Sequence, residues 1–499
     1  MKYLTDEMIS GLAPAETSAF PSPVPTQIVS SDEFAPVPQS PRQKEVEARL
    51  TDMSDRIAGR LGVSRRRFFQ TAAGMAASFV AINQVFGNIF DVSEAEAATP
   101  EMANERAGKL SKQMVIDGHT HFLRDDTRLM GFVAGREAVG KFGWNKALSE
   151  KEQTIDDLKY GNYIKEIYMD SDTKVALLSN SPSDVPGDWF IPQEQVFKTR
   201  EMVNAKAGSK RMLAHFTFTP GQPGWMEKVD EAIERFKPDS WKGYTVGDNT
   251  HKDMAAFPWH ADDAKLMYPF YEKIAKSGIR NVCIHKGLFA PGVEAKFPRL
   301  RPYADVSDIG RAAKDFPHLN FLVYHSGYRW VGGNPADGMA EFDKTGRSSW
   351  VSDLAEIPEK FGVNNVYGDL GQLFAWTSVA EPRLSAALMG ILVKGLGANR
   401  IVWGTDAVWT GAPQWQIEGL RRLEIPVDMQ KKHGFKPLGA ADGPVKTAIF
   451  SGNSARLYGL TKQHAALVGQ DRFAEMKAEY ELNGSGRSNL RYGYVSKAG

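Results

Sequence analysis

From residue 112 onward, short apolar runs alternate with stretches whose apolar positions recur every three or four residues. The runs at 114–118, 174–179, 212–218, 241–246, 281–285, 320–324, 366–368 and 400–404 read as strands. Between them, 265–277, 308–316, 350–361 and 383–396 read as helices. Strands alternating with helices point to βα units and a parallel sheet. Eight such units fit an α/β fold of the (β/α)8 TIM-like barrel type with long loops. A doubly wound open sheet is the alternative. No G-x-G-x-x-G follows the first run, which argues against a dinucleotide-binding version of it.

The pattern upstream is different. Residues 1–41 hold seven of the 27 prolines, a composition expected to be disordered or polyproline-like. Val46, Leu50, Met53, Ile57 and Leu61 then recur at steps of three and four, predicting one amphipathic helix, either recognised by a partner or solvated on one side. Ser64-Arg65-Arg66-Arg67-Phe68-Phe69-Gln70 follows, then an uncharged stretch over 71–90 and Ala95-Glu96-Ala97, with small residues at the two positions a signal peptidase reads. Paired arginines, a weak apolar run and an A-x-A site resemble a twin-arginine export signal. That resemblance implies cleavage after Ala97, recognition by the twin-arginine machinery and a periplasmic or otherwise exported enzyme. The other reading is a basic helix followed by a buried or membrane-spanning one. Asn83, Gln84 and Asn88 make the run a poor permanent span. Four segments are therefore expected: a Pro-rich leader at 1–63, a signal segment at 64–97, the barrel at 98–460, and a polar tail at 461–499 with one helix near 471–482.

The 61 Lys+Arg and 60 Asp+Glu residues leave a formal charge of +1, so no global basic field draws nucleic acid or anionic membrane. The single cysteine, Cys283, excludes an internal disulfide and CxxC-type sites. Any metal site must be built from histidine and carboxylate.

Those residue types fall where a barrel places its chemistry, at the carboxyl ends of strands. The first run ends in Asp117-Gly118-His119-Thr120-His121, and residues two apart on an extended segment point the same way. The fifth ends at His285, the sixth at His325 and the eighth at Asp406. A packed, hydrogen-bonded pair explains the HxH alone as well as a ligand pair does. The joint occurrence is harder to explain that way. The segments VIDGHTH, NVCIHKG, LNFLVYHSGY, NRIVWGTD and IFSGNSARLYGL, spread over 114–460, resemble the amidohydrolase superfamily, in the branch that includes aminocarboxymuconate-semialdehyde decarboxylase. The resemblance implies His119, His121, His285 and Asp406 as metal ligands, with His325 and Asp406 as catalytic groups. It also implies that two-metal members carry a carboxylated lysine at the end of strand four. Here Lys242 is read at that strand's beginning and Thr245 at its end, so one divalent ion is expected. Without thiolates its identity is open among Zn2+, Mn2+ and Fe2+.

Such a centre suits hydrolysis of a small amide, ester or lactone by activated water. It equally suits non-oxidative decarboxylation or hydration of a small unsaturated or aromatic acid. An inactive barrel used for binding is the third reading. Lys286, Arg124, Arg329 and Trp409 lie near strand ends and are candidate substrate contacts, each also explicable as a surface charge or core filler. Asp369, at the end of the seventh run, is a candidate partner for a metal-bound histidine. His215 reads as a hydrogen-bonded core histidine, His251 and His260 as exposed, and Asn453 as the cap of the last barrel helix. The resemblance also implies a homodimer as one option.

Overall fold

The computed structural model describes residues 12–14, 22–28, 37–124, 159–249, 251, 253–330, 333–484 and 494–496. All eight expected strands form, in one parallel sheet whose spatial order is their chain order. They are β1 (Ile116–Thr120), β2 (Val175–Leu178), β3 (Met212–Thr217), β4 (Ser240–Tyr244), β5 (Asn281–His285), β6 (Asn320–Tyr324), β7 (Val366–Asp369) and β8 (Ile401–Val402). Both faces of such strands are covered, which explains their near-continuous apolar runs. The sheet closes between its first and last strands. Gly118 N–H donates to Trp403 O at 2.9 Å, Asp406 N–H to His119 O at 2.8 Å, and His121 N–H to Ala407 O at 2.6 Å. The result is a TIM barrel.

Strand ends shift by one to two residues from the sequence reading in most strands, and two of these shifts bear on the site. β8 is only two residues long because Trp403 N–H turns aside to Ile449 O. β4 runs Ser240–Tyr244, so Lys242 occupies its middle, fully buried, rather than its beginning. Asn453 also differs: its amide donates to Ala398 O and Ile401 O, tying down the foot of β8 instead of capping a helix.

Upstream of the barrel, residues 37–110 form a packed helical layer. Helix α1 (Pro41–Leu61) starts at a reciprocal Ser40–Gln43 capping box and stops at Gly62, whose φ of 66° suits glycine. Its expected stripe of Val46, Leu50, Met53 and Ile57 is buried, with Leu61 left exposed. Val24 and Ile28 are buried too, so the described parts of the leader are packed rather than loose. Helix α2 (Ala72–Phe86) carries the uncharged run and is buried on nearly all sides. Among the described residues, no helix is long and apolar enough to cross a membrane.

Helix α2 is stitched to the barrel. Asn83 Oδ1 accepts from Ile89 and Phe90 N–H, and Phe90 forms a β-bridge with Leu423. Arg422, at the end of helix α4 (Gln414–Arg422), pairs with Glu96 at 2.7 Å in helix α3 (Glu94–Ala98), where Ala97 is fully buried. The stretch read as a signal segment is thus one wall of the folded protein. The described start of the tail packs as well: Asp471 caps a helix over Arg472–Leu482 and pairs with Arg211 of the barrel at 2.6 Å.

Candidate metal centre

Closure of the barrel brings β1 and the segment after β8 side by side, and this juxtaposition builds the site. His119 Nε2 lies 3.3 Å, and His121 Nε2 3.2 Å, from Asp406 Oδ1. The three ligand atoms lie within 4.8 Å of one another, and all three residues are buried. The backbone holds Asp406 there. Its φ is 61°, a left-handed conformation that turns the carboxylate back over β1. Asp117 braces the same junction by accepting from His119 N–H, Thr405 N–H and the Thr405 hydroxyl. Burial pushes the Asp117 carboxyl up to about 7, against those donors. Gly404 permits the close approach: a Cβ there would stand 2.1 Å from Asp369 Oδ1 and 2.8 Å from His119 Cβ.

The donor chemistry fits a divalent ion. His119 Nδ1 lies 3.1 Å from Asp369 Oδ2, which also accepts from Gly371 N–H and His325 N–H. A carboxylate accepts, so the proton sits on Nδ1 and the Nε2 lone pair faces Asp406. Burial, then Lys242 and the neighbouring histidines, hold His119 well below the usual imidazole range, so the ring is neutral as a ligand must be. Burial raises the Asp369 carboxyl, opposed by His325 N–H and by Lys242. His325 follows β6 in a left-handed turn with φ of 58°. Its Nδ1 lies 2.9 Å from Gly371 O, which can only accept, so Nδ1 carries the proton. His119, His325 and Asp369 form a second triangle of potential ligand atoms sharing His119 with the first.

The other expected site residues divide. His285 stands beside the cluster, its ring 4.5 Å from that of His325 and 4.9 Å from that of Tyr244, outside both triangles. Trp409 stacks on His121 at 5.7 Å. Phe190, which no sequence pattern singled out, meets His121 edge-on at 5.9 Å and Trp409 at 5.4 Å. Arg124 is buried, donates to Gly187 O, and lines a cavity of about 400 Å³ with Trp189, Phe216 and Trp225. Lys286 and Arg329, the other two cationic candidates, are each held by a carboxylate. The Lys286 ammonium is fully buried, donating to Asp308 at 2.8 Å and Tyr303 O at 2.9 Å. Arg329 pairs with Glu294 at 2.9 Å and lies over the Trp350 ring. His215 is the hydrogen-bonded core histidine expected. His251 and His260 are only partly exposed and lie near carboxylates: His251 near Asp188 and Asp248, His260 near Asp308.

Residues 116–460 match the model of the Amidohydrolase family, Amidohydro_2. No curated protein matches the chain. Similar solved structures include an uncharacterized TIM-barrel protein from Bordetella bronchiseptica, with a TM-score of 0.42, 15% identity, and coverage of 71% of this chain and 99% of that one. The 5-carboxyvanillate decarboxylase of Sphingomonas paucimobilis aligns with a TM-score of 0.39 and 14% identity, over 70% of this chain and 100% of its own. The 2,6-dihydroxybenzoate decarboxylase of Rhizobium aligns at 0.41 and 15%, over 70% and 99%.

Proposed function

Because the chain belongs to the amidohydrolase family through residues 116–460, we propose that it is a metal-dependent hydrolase of a small amide, ester or lactone. The observation that carries this reading is the convergence of His119 Nε2, His121 Nε2 and Asp406 Oδ1. These residues would hold one divalent ion, Zn2+, Mn2+ or Fe2+, with His285 as the expected further ligand. When bound, such an ion lowers the pKa of water and polarises a carbonyl. Asp406, on the wall of the same cluster, accepts the proton of the attacking water and returns it to the leaving group. His325, its Nδ1–H fixed on Gly371 O, presents Nε2 as a proton acceptor toward substrate. Trp409 and Phe190 form an apolar wall beside His121 that excludes water and seats a flat group.

That aromatic wall also favours a second reading, non-oxidative decarboxylation of an aromatic or conjugated acid by the same residues. Export by the twin-arginine route belongs to the proposal as well; Arg66 and Arg67 lie exposed on the folded surface. Purified protein should contain about one equivalent of a divalent metal, lost in His119→Ala and Asp406→Ala. Assaying lactone and ester turnover beside carbon dioxide release separates the two reactions. A metal-free wild type would overturn both.

A further inference from the structure

A chain of buried hydrogen bonds inside the barrel runs in one direction, from Ser240 through His215 and Tyr324 to the β1 backbone. The Tyr324 hydroxyl donates to Gly118 O at 2.6 Å, the carbonyl immediately before His119. Having donated its one proton, that oxygen can only accept from His215 Nε2, 2.8 Å away. His215 therefore carries its proton on Nε2, and its Nδ1 accepts from the Ser240 hydroxyl at 2.8 Å. Burial, then Lys242, keep His215 well below the usual imidazole range, consistent with this neutral tautomer. Ser240, His215 and Tyr324 are each no more than 1% exposed, so no bulk water competes for these bonds.

The Tyr324 ring has a second task. Its centroid lies 4.2 Å from that of His119 and 3.4 Å from the Lys242 ammonium. The phenol thus holds β1 twice, by the carbonyl behind His119 and by the face against its imidazole. It is itself held from below by a cation on its π-face. We infer that Tyr324 is a positioning residue for the metal centre, locked by the Ser240–His215 relay and aiming His119 at Asp406. This rests on the metal reading above and assigns a role to groups that neither touch substrate nor ligate.

Tyr324→Phe keeps the ring and removes both hydrogen bonds of the hydroxyl. Chelator-treated full-length protein is titrated with Co2+, reading affinity and the visible absorption of the bound ion, with thermal unfolding of the metal-free form measured in parallel. Partners that orient a ligand typically matter by about 10- to 100-fold in metal affinity. A loss of that size with an altered Co2+ spectrum is expected in Tyr324→Phe, and a smaller loss in the same direction in Ser240→Ala. A purely structural role would lower the unfolding temperature and leave affinity and spectrum at wild type, which overturns the inference. If Tyr324→Phe does not fold, Ser240→Ala decides by the same two readouts. A wild type that takes up no Co2+ overturns the metal reading, and the inference with it; a wild type that binds beside unaltered variants overturns the inference alone.

Discussion

His119 Nδ1 lies 3.1 Å from Asp369 Oδ2, although 250 positions separate the two residues in the chain. The contact decides which imidazole nitrogen is available to a metal. An amide at 369 can donate to Nδ1, allowing the opposite tautomer with Nε2 protonated and unable to ligate. Asp369→Asn should therefore weaken metal affinity by about 10- to 100-fold. Equilibrium dialysis against a metal buffer checks it, and wild-type affinity would refute the orienting role.

Gly404 is required for space. A methyl group there would sit 2.1 Å from Asp369 Oδ1. Overpacking of this kind typically costs about 1–3 kcal/mol. Gly404→Ala should lower the unfolding temperature and, by pushing Asp369 off His119, deplete the bound metal. Calorimetry and metal analysis of the same sample test both halves.

A buried ionic cluster outside the site is expected to contribute to the response to acid. Arg421 pairs with Asp172 at 2.7 Å and Glu418 at 2.8 Å. Burial opposes the charge on both acids, yet Arg421, joined by Lys477 at Asp172 and by Arg422 at Glu418, holds both below the ordinary carboxylate range. Depressed carboxylates release protons more readily folded than unfolded. Their contribution is thus complete above about pH 4 and is lost as pH falls through the lowered values. Unfolding temperature followed from pH 6 to 3 should drop below about 4. Arg421→Met, which strands two buried acids, should destabilise by about 3–5 kcal/mol at neutral pH. An unchanged acid profile in that variant would show the cluster to be inert.

The helical layer is expected to be indispensable. Helix α2 buries Phe79 against Phe90, with Arg422 over the Phe79 ring. A chain beginning at residue 98 would bare that face and leave Arg422 without Glu96. It should accumulate as insoluble protein where the full chain is soluble. Comparing the two in the soluble fraction, then by unfolding, checks this; a stable truncated barrel would refute it.

The barrel and its rim were legible because each ligand type directly follows an apolar run, and strand ends are where such folds expose side chains. His119, His121 and Asp406 meet for that reason. Which acid holds each of Lys286 and Arg329 was not legible. Whether Lys286 faces substrate or Asp308 depends on a partner 22 residues away, and no local pattern reports it. Phe190 was missed for the same cause, since its value comes from lying across His121 and Trp409. The packing of the helical layer was not legible: an apolar run behind arginines looks alike in sequence whether a translocase reads it or a neighbouring helix covers it.

The position of Ala97 has a consequence for maturation. A peptidase needs its scissile bond extended in a cleft, whereas the bond after Ala97, where a signal would be cut, lies coiled in a packed helix whose neighbouring glutamate is clasped by Arg422. Trimming would have to win a race against folding, or wait for the whole wall to open. A chain that crosses a membrane already folded would arrive with its address still attached.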